Sequence, residues 1–270
     1  MFELIKGENT EYYIIEEFAD TGMVTHAFST RLGGVSKADF AELNLAFHTE
    51  DEEDNIIKNR QRICNELGVD YHNIVAGEQI HSDNIEIITK NDQGRGAFEY
   101  QDSISETDAL ITNEADVILT SYYADCVPII ILDPVKEVAA LAHGGWKGTV
   151  KKIGQKTVLK MKQEFGSHSE DILVGIGPSI GPCCYEVDDY VIDLLKQSFD
   201  YWEELVVKTG DNSWKLNLWQ TNSRQLQDIG VLKENIIISE ICTACNVDQF
   251  YSYRAEDGAT GRMASLIKLK

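Results

Sequence analysis

The chain has 270 residues, of which 43% are hydrophobic and only four are proline, so it is long enough to bury a large core. Its 45 acidic residues against 24 basic ones give a formal net charge of −21, which repels nucleic-acid phosphates and anionic membrane surfaces. The N-terminus lacks the apolar core of a signal peptide, and no run approaches the roughly 20 apolar residues of a membrane helix. We therefore expect a single domain over residues 1–270, cytoplasmic, with mostly reduced cysteines and neither nucleic acid nor membrane as a partner; the oligomeric state stays open.

Short apolar runs rich in β-branched residues alternate with amphipathic stretches along the chain, which indicates a mixed α/β layered fold. Four helices are predicted, over residues 54–68, 149–166, 188–199 and 218–229. Six strands are predicted, over residues 84–89, 117–121, 127–132, 138–142, 172–176 and 236–241.

Candidate chemistry sits at the ends of these strands. The strands at 127–132 and 138–142 are joined by the turn dipeptide Asp133-Pro134, so antiparallel pairing would bring Cys126 and His143 to the same end of the sheet. His81 directly precedes another strand. Taken singly, such a cysteine is more often a buried core residue and such a histidine more often structural or solvated. Together, two imidazoles and a thiolate suit zinc and leave a fourth position open for a water or substrate oxygen.

Six separated segments resemble the YfiH/YlmD family, also called the laccase-domain or multifunctional purine nucleoside phosphorylase family. In chain order they are FSTRLGGVS at 28–36, QIHSD at 79–83, TSYYADCVPI at 120–129, HGGWKGT at 143–149, GPSIGPCCYEV at 177–187 and FYSYR at 250–254. The resemblance therefore extends over nearly the whole chain, in the right order. It departs from the expected His-Ala-Gly-Trp-Arg-Gly form at Gly144 and Lys147, and Lys147 lacks the bidentate fork of arginine.

The resemblance implies an α+β (mixed α/β) fold, a single-domain four-layer α/β/β/α sandwich with two mixed β-sheets. It places the metal ligands, which are also the catalytic residues, on His81, Cys126 and His143. Zn²⁺ is the implied metal, and Cu²⁺ is a substitute that such a site accepts. The implied reaction cleaves adenosine, inosine or 5′-methylthioadenosine with phosphate to base and pentose 1-phosphate, with adenosine deamination at the same site.

A strongly negative protein that binds phosphate needs a local cation, and Arg31 in the STRLGG loop is the first candidate, with Arg254 as the second. Asn44 and Gln79 are candidates for orienting ribose hydroxyls or base edges. For each of these residues, ordinary loop hydrogen bonding or a solvated turn is the alternative interpretation.

Four other functions remain open. Copper in the same site would oxidise phenols slowly, although six histidines are too few for a four-copper oxidase. Some family members are linked to editing of peptidoglycan precursors by an amidase reaction. Cys126 could act as a covalent nucleophile with His143 as its base. The non-enzymatic alternative is a structural metal-binding protein that uses Cys183, Cys184, Cys242 and Cys245, for which ordinary buried thiols are the favoured interpretation.

Overall fold

The computed structural model describes residues 1–270 as fifteen β-strands and six α-helices. The strands are β1 (Phe2–Lys6), β2 (Glu11–Ile15), β3 (Val24–Ser29), β4 (Ile74–Ala76), β5 (Ile85–Ile87), β6 (Ala109–Thr112), β7 (Ile118–Tyr123), β8 (Val127–Asp133), β9 (Val138–Gly144), β10 (Leu173–Ile176), β11 (Glu186–Val187), β12 (Val206–Gly210), β13 (Ser213–Leu216), β14 (Ile236–Ile238) and β15 (Met263–Leu269). The helices are α1 (Glu16–Asp20), α2 (Glu53–Leu67), α3 (Trp146–Val150), α4 (Ile153–Phe165), α5 (Asp189–Ser198) and α6 (Leu218–Gln227).

Two six-stranded mixed sheets form the centre of the molecule. The first has the order β1-β2-β3-β15-β7-β4, with only the β7/β4 pair parallel. The second has the order β14-β10-β8-β9-β6-β5, with its two outermost pairs parallel. A small third sheet, β11-β13-β12, completes the strands.

The two sheets pack face to face. Strand β8 of the second sheet lies between two cores, and this accounts for its apolar sequence. Its residues alternate between two cores, because successive side chains of a strand point to opposite faces. Ile130 and Leu132 face the core between the sheets, whereas Ile129 and Ile131 face the core beneath the helices. Both sets are buried, which explains why the strand is apolar from Val127 to Leu132.

Helices cover the outer face of each sheet. Helix α2 packs on the first sheet through Ile63, which shares a core with Ile118 of β7. Helices α4, α5 and α6 pack on the second sheet through a core that includes Val158, Leu195 and Leu226. The order of layers is therefore helix, sheet, sheet, helices, and this confirms the predicted four-layer α/β/β/α fold with two mixed sheets.

The predicted helices are found with one correction. The predicted helix over 149–166 is two helices, because α3 begins at Trp146 and Lys152 interrupts the run in a left-handed conformation, with φ of 65°, before α4 begins. Helix α2 ends as predicted at Gly68, whose φ of 64° is the left-handed conformation that glycine adopts without a Cβ clash.

All six predicted strands are present, and nine further strands were not predicted. The predicted hairpin is confirmed, since β8 and β9 pair antiparallel and place Pro128 opposite His143 and Val127 opposite Gly144. None of the helices combines the length and the apolarity that crossing a membrane demands.

Candidate metal centre

Three side chains meet at one end of the β8–β9 hairpin. Cys126 directly precedes β8, His143 lies near the end of β9, and His81 comes from the loop between β4 and β5. Their ligand atoms all lie within 4.8 Å of one another, and the Cys126 Sγ to His81 Nε2 distance is 3.7 Å. Tetrahedral zinc ligands at the usual bond lengths stand about 3.6 Å apart when one is sulfur and the other nitrogen. This donor set therefore fits a metal ion such as zinc.

The backbone around the cluster is unusual at two positions. His81 has a φ of 61° and Asp125, next to Cys126, has a φ of 81°, and both lie in the left-handed region that non-glycine residues rarely occupy. Gly145 passes so close that an added Cβ would lie 2.9 Å from Cys126 Sγ and 2.9 Å from His81 Cδ2. The Gly-Gly pair after His143 thus leaves room for the cluster.

Asp108, directly before β6, holds both histidine segments. Its Oδ1 lies 2.8 Å from His143 Nδ1 and accepts a hydrogen bond of 3.0 Å from the backbone N–H of His81. Its Oδ2 accepts hydrogen bonds from the backbone N–H and the hydroxyl of Ser82. The bond to Nδ1 fixes the His143 ring and leaves Nε2 for a ligand, which is the usual role of a carboxylate behind a metal-binding histidine.

The electrostatics of the site favour the thiolate form of Cys126. Burial alone would raise the pKa of this thiol, but the charge of His143 and hydrogen bonds from His143 and His81 lower it to about 6. Burial would lower the pKa of His143, but the charge of Cys126 and the hydrogen bond to Asp108 raise it to about 9. Burial would likewise raise the pKa of Asp108, but its interactions with His143 and Ser82 lower it to about 2. A thiolate is the form of cysteine that binds metals and attacks electrophiles.

A cavity of about 470 Å³ opens onto the cluster. This volume is within the range of small-molecule binding sites. Five aromatic side chains contribute to its walls: Tyr122, Tyr123, Trp146, Tyr185 and Tyr253. Two arginines, Arg254 and Arg262, also line it. The cavity therefore combines flat apolar surfaces with fixed positive charge beside the cluster.

Two of the predicted substrate residues do not line this cavity. Arg31 donates to the backbone oxygens of Ala41 and Val247 and forms a 2.9 Å ion pair with Glu256. The side chain of Asn44 is fully buried, donates to Thr49 and Asp51, and accepts from the backbone N–H of Arg262. Both residues are engaged in holding loops together, so neither side chain is placed to touch a ligand in the cavity.

The other two predicted substrate residues do line the cavity. The side-chain amide of Gln79 makes two hydrogen bonds to the backbone of Tyr122, which fastens the His81 loop to the end of β7. The Arg254 side chain donates to the backbone oxygen of Glu186. Its backbone N–H donates to Asp125 Oδ2, whose other oxygen accepts from the Thr243 hydroxyl. Asp125 thus orients the loops on both sides of Cys126.

The five aromatic wall residues were not predicted from the sequence, and neither were three titratable residues of the site: Asp108, His48 and Arg262. Asp108 and Arg262 both lie just before a strand, so the argument from element ends that selected His81 could have found them. His48 is in an irregular segment, and no sequence pattern marks it. Burial lowers the pKa of His48 to about 3, with the charge of Arg262 acting in the same direction, so it lines the cavity as a neutral ring.

Comparison with known proteins identifies a family and relatives that match nearly the whole chain. Residues 25–270 match the family described as multi-copper polyphenol oxidoreductase laccase. The chain is 38% identical over 261 residues to purine nucleoside phosphorylase YlmD of Bacillus subtilis, covering 95% of this chain and 94% of that protein.

Solved structures agree with the sequence match. The Bacillus licheniformis hypothetical protein YfiH superposes with a TM-score of 0.95 at 36% identity, covering 100% of this chain and 99% of that one. YlmD from Geobacillus stearothermophilus superposes with a TM-score of 0.94 at 34% identity and full coverage of both chains. The chain therefore belongs to the multi-copper polyphenol oxidoreductase laccase family, as its resemblance to the YfiH and YlmD proteins predicted.

Proposed function

We propose that this protein is a zinc-dependent purine nucleoside phosphorylase that cleaves adenosine, inosine and 5′-methylthioadenosine, and that the same site deaminates adenosine. The observation that carries the proposal is the convergence of His81, Cys126 and His143 on an aromatic cavity that also contains two arginines. Relatives named purine nucleoside phosphorylase, at 38% identity over nearly the full chain, support the same reaction class.

The three converging residues would hold the metal, with Asp108 behind His143. When bound, zinc supplies Lewis-acid polarisation of a substrate oxygen or of water. Copper is the alternative occupant of this donor set, and phenol oxidation would then be a side activity.

The cavity walls provide the remaining binding functions. Purine rings stack on flat aromatic side chains, and the walls offer several. Phosphate is a dianion, and it needs a fixed cation in a chain with a net charge of −21. We assign that role to Arg254 and Arg262, which line the cavity. Arg31 supports them indirectly, because its partner Glu256 accepts hydrogen bonds from Ser252 and Thr260 in the same loop.

A second candidate function rests on a different reading of the same residues. Asp108, His143 and Cys126 form a carboxylate–imidazole–thiolate series of the kind that activates a cysteine nucleophile. A cysteine hydrolase of this type needs no metal. The two candidates therefore differ in their response to metal removal.

The first experiment measures zinc content and phosphate-dependent release of hypoxanthine from inosine in wild type, Cys126→Ala and Cys64→Ser. Cys64 is a buried thiol of α2 and serves as the matched control. We expect Cys126→Ala to lose the metal of this cluster and the activity together, and Cys64→Ser to keep both. Wild-type protein with full zinc and no nucleoside cleavage would refute the phosphorylase proposal and favour the precursor-editing amidase.

A further inference from the structure

Four of the remaining cysteines form a second group, which we call the four-cysteine cluster: Cys183, Cys184, Cys242 and Cys245. Their sulfur atoms all lie within 4.8 Å of one another. Cys245 Sγ lies 3.6 Å from Cys183 Sγ and 3.3 Å from Cys184 Sγ. From the sequence, ordinary buried thiols were the favoured interpretation of these four cysteines. The predicted burial is wrong for three of them. Only Cys242 is buried, because Cys183 and Cys245 are exposed and Cys184 is half-buried.

Two segments far apart in sequence are joined to build this cluster. The backbone N–H of Ser179 donates to Ile241, and the backbone N–H of Thr243 donates back to Ser179. A short helical turn at Thr243–Cys245 then carries Cys245 round towards Cys242. On the other segment, Cys184 and Tyr185 donate their backbone N–H groups to the oxygen of Gly181, which forms a turn around the paired cysteines.

The separation of the sulfur atoms fits a metal ion better than a disulfide. Four thiolates at the usual zinc–sulfur distance of about 2.3 Å stand about 3.8 Å apart in a tetrahedron, whereas bonded sulfurs are about 2.05 Å apart. The neighbours Cys183 and Cys184 are also poor disulfide partners. Consecutive Cα atoms are about 3.8 Å apart, which is below the usual disulfide range that begins near 4.4 Å.

A backbone donor and a closely packed glycine adjoin the cluster. The backbone N–H of Gly181 donates to Cys242 Sγ at 3.2 Å, and hydrogen bonds of this kind orient the ligands of metal sites. An added Cβ at Gly181 would lie 2.7 Å from the Trp219 ring and 3.2 Å from Cys242 Cβ, so the close approach requires glycine. The exposed sulfurs of Cys183 and Cys245 give an ion a path from solvent. The Cys242-x-x-Cys245 spacing is common among structural zinc sites.

We propose that the four-cysteine cluster binds one zinc ion as a structural site. Binding displaces the protons of the four thiols and ties residues 179–185 to residues 241–245. These segments also serve the cavity, because Ile180 and Tyr185 line it and Thr243 bonds to Asp125 beside Cys126. The zinc would therefore fasten one wall of the active cavity without touching the substrate.

The test compares zinc content in wild type, Cys183→Ser/Cys245→Ser, Cys126→Ala and the control Cys64→Ser. All are purified under reducing conditions, dialysed against metal-free buffer and measured by mass spectrometry of the metal. The double variant is expected to hold one zinc ion fewer per chain than wild type, whereas Cys64→Ser matches wild type. Cys126→Ala is expected to retain the zinc of the four-cysteine cluster, and an organomercurial that captures thiols should release it.

Three results would overturn the proposal. The first is a double variant with wild-type zinc content, and the second is Cys126→Ala protein from which the organomercurial releases no zinc. The third is a count below six free thiols in wild type that is purified without reductant and then denatured. The second and third measurements leave all four cysteines in place, so they decide the matter even if the double variant does not fold. A protein that holds this zinc and cleaves no nucleoside would refute the proposed phosphorylase activity alone.

Discussion

At the scale of single residues, the site depends on two carboxylates that lie outside the His81–Cys126–His143 cluster and hold its segments in place. Asp108 contacts both histidine segments, and Asp125 contacts Thr243 and Arg254 on either side of Cys126. The two carboxylates thus position the three side chains of the cluster, which come from three separate segments of the chain. Two of those segments carry left-handed residues, His81 and Asp125, which shows that the surrounding hydrogen bonds outweigh the local conformational cost.

Arg262 gives the sharpest prediction at this scale. Its guanidinium lines the cavity and is anchored by bonds from Nη1 to the backbone oxygens of Thr260 and Gly261, which leaves other N–H donors for an anion. Arg262→Met should raise the apparent KM for phosphate about tenfold or more, since a hydrogen bond to a charged group contributes about 1.5–3 kcal/mol. The KM for inosine should change less.

Arg224→Met is the control, because Arg224 is a surface residue of α6 that pairs with Glu204 and Asp228. Steady-state kinetics with varied phosphate distinguishes the two variants. An unchanged phosphate dependence in Arg262→Met would remove this residue from the phosphate site.

The sequence identified the cluster but not all of its surroundings. His81, Cys126 and His143 stand at element ends, and the turn at Asp133-Pro134 was enough to predict that two of them meet. Arg31 was predicted to bind phosphate in the cavity, but its guanidinium pairs with Glu256, 225 residues later in the chain. The local motif does not reveal this partner. Ion pairs between distant segments are decided by tertiary packing, which a local pattern does not contain.

At the scale of elements, burial on both faces made one strand easy to predict, and short or polar sequences hid others. Strand β8 is buried on both faces, and its continuous apolar run was recognised. Strand β4 was not predicted, and its three residues are too few for a period of two to show. Strands β12 and β13 are mostly exposed or half-buried and polar, so they resemble loops.

The junction between β2 and β3 provides a pH-dependent prediction. His26 of β3 is buried, and its Nε2 accepts a hydrogen bond of 2.7 Å from the backbone N–H of Ile15, a bond that a protonated ring nitrogen cannot accept. Burial lowers the pKa of His26 to about 4, below its ordinary 6.5. The stabilisation by neutral His26 is thus complete above pH 6.5 and is lost as the pH falls towards 4.

Comparison with His26→Gln isolates this effect from the other titrating groups. The advantage of wild type over the variant in the free energy of unfolding should shrink by about 2 kcal/mol between pH 7.5 and pH 5. Urea unfolding at both pH values measures it. An advantage that stays constant across this range would show that His26 is not held neutral by the fold.

At the scale of the whole molecule, two opposed sheets carry the site at one edge. Strand β9 of the second sheet supplies His143, whereas the loop after β4 and the loop after β7, both in the first sheet, supply His81 and Cys126. Cys126 and His143 are brought together by the β8–β9 hairpin of the second sheet, and His81 reaches them from the connection that crosses from β4 of the first sheet to β5 of the second. The chain has a net charge of −21, so the two arginines give the cavity positive charge in an otherwise strongly negative molecule. This charge is consistent with an anionic co-substrate.

Removal and return of the metal is the most direct test of the central claim that a metal in the His81–Cys126–His143 cluster is needed for phosphorolysis. Protein stripped by a chelator under reducing conditions is titrated with zinc while phosphate-dependent hypoxanthine release from inosine is followed. We predict that activity falls to background on stripping and returns in proportion to the zinc bound, with no return in Cys126→Ala. Undiminished activity in metal-free protein would contradict this account and assign Cys126 as the nucleophile.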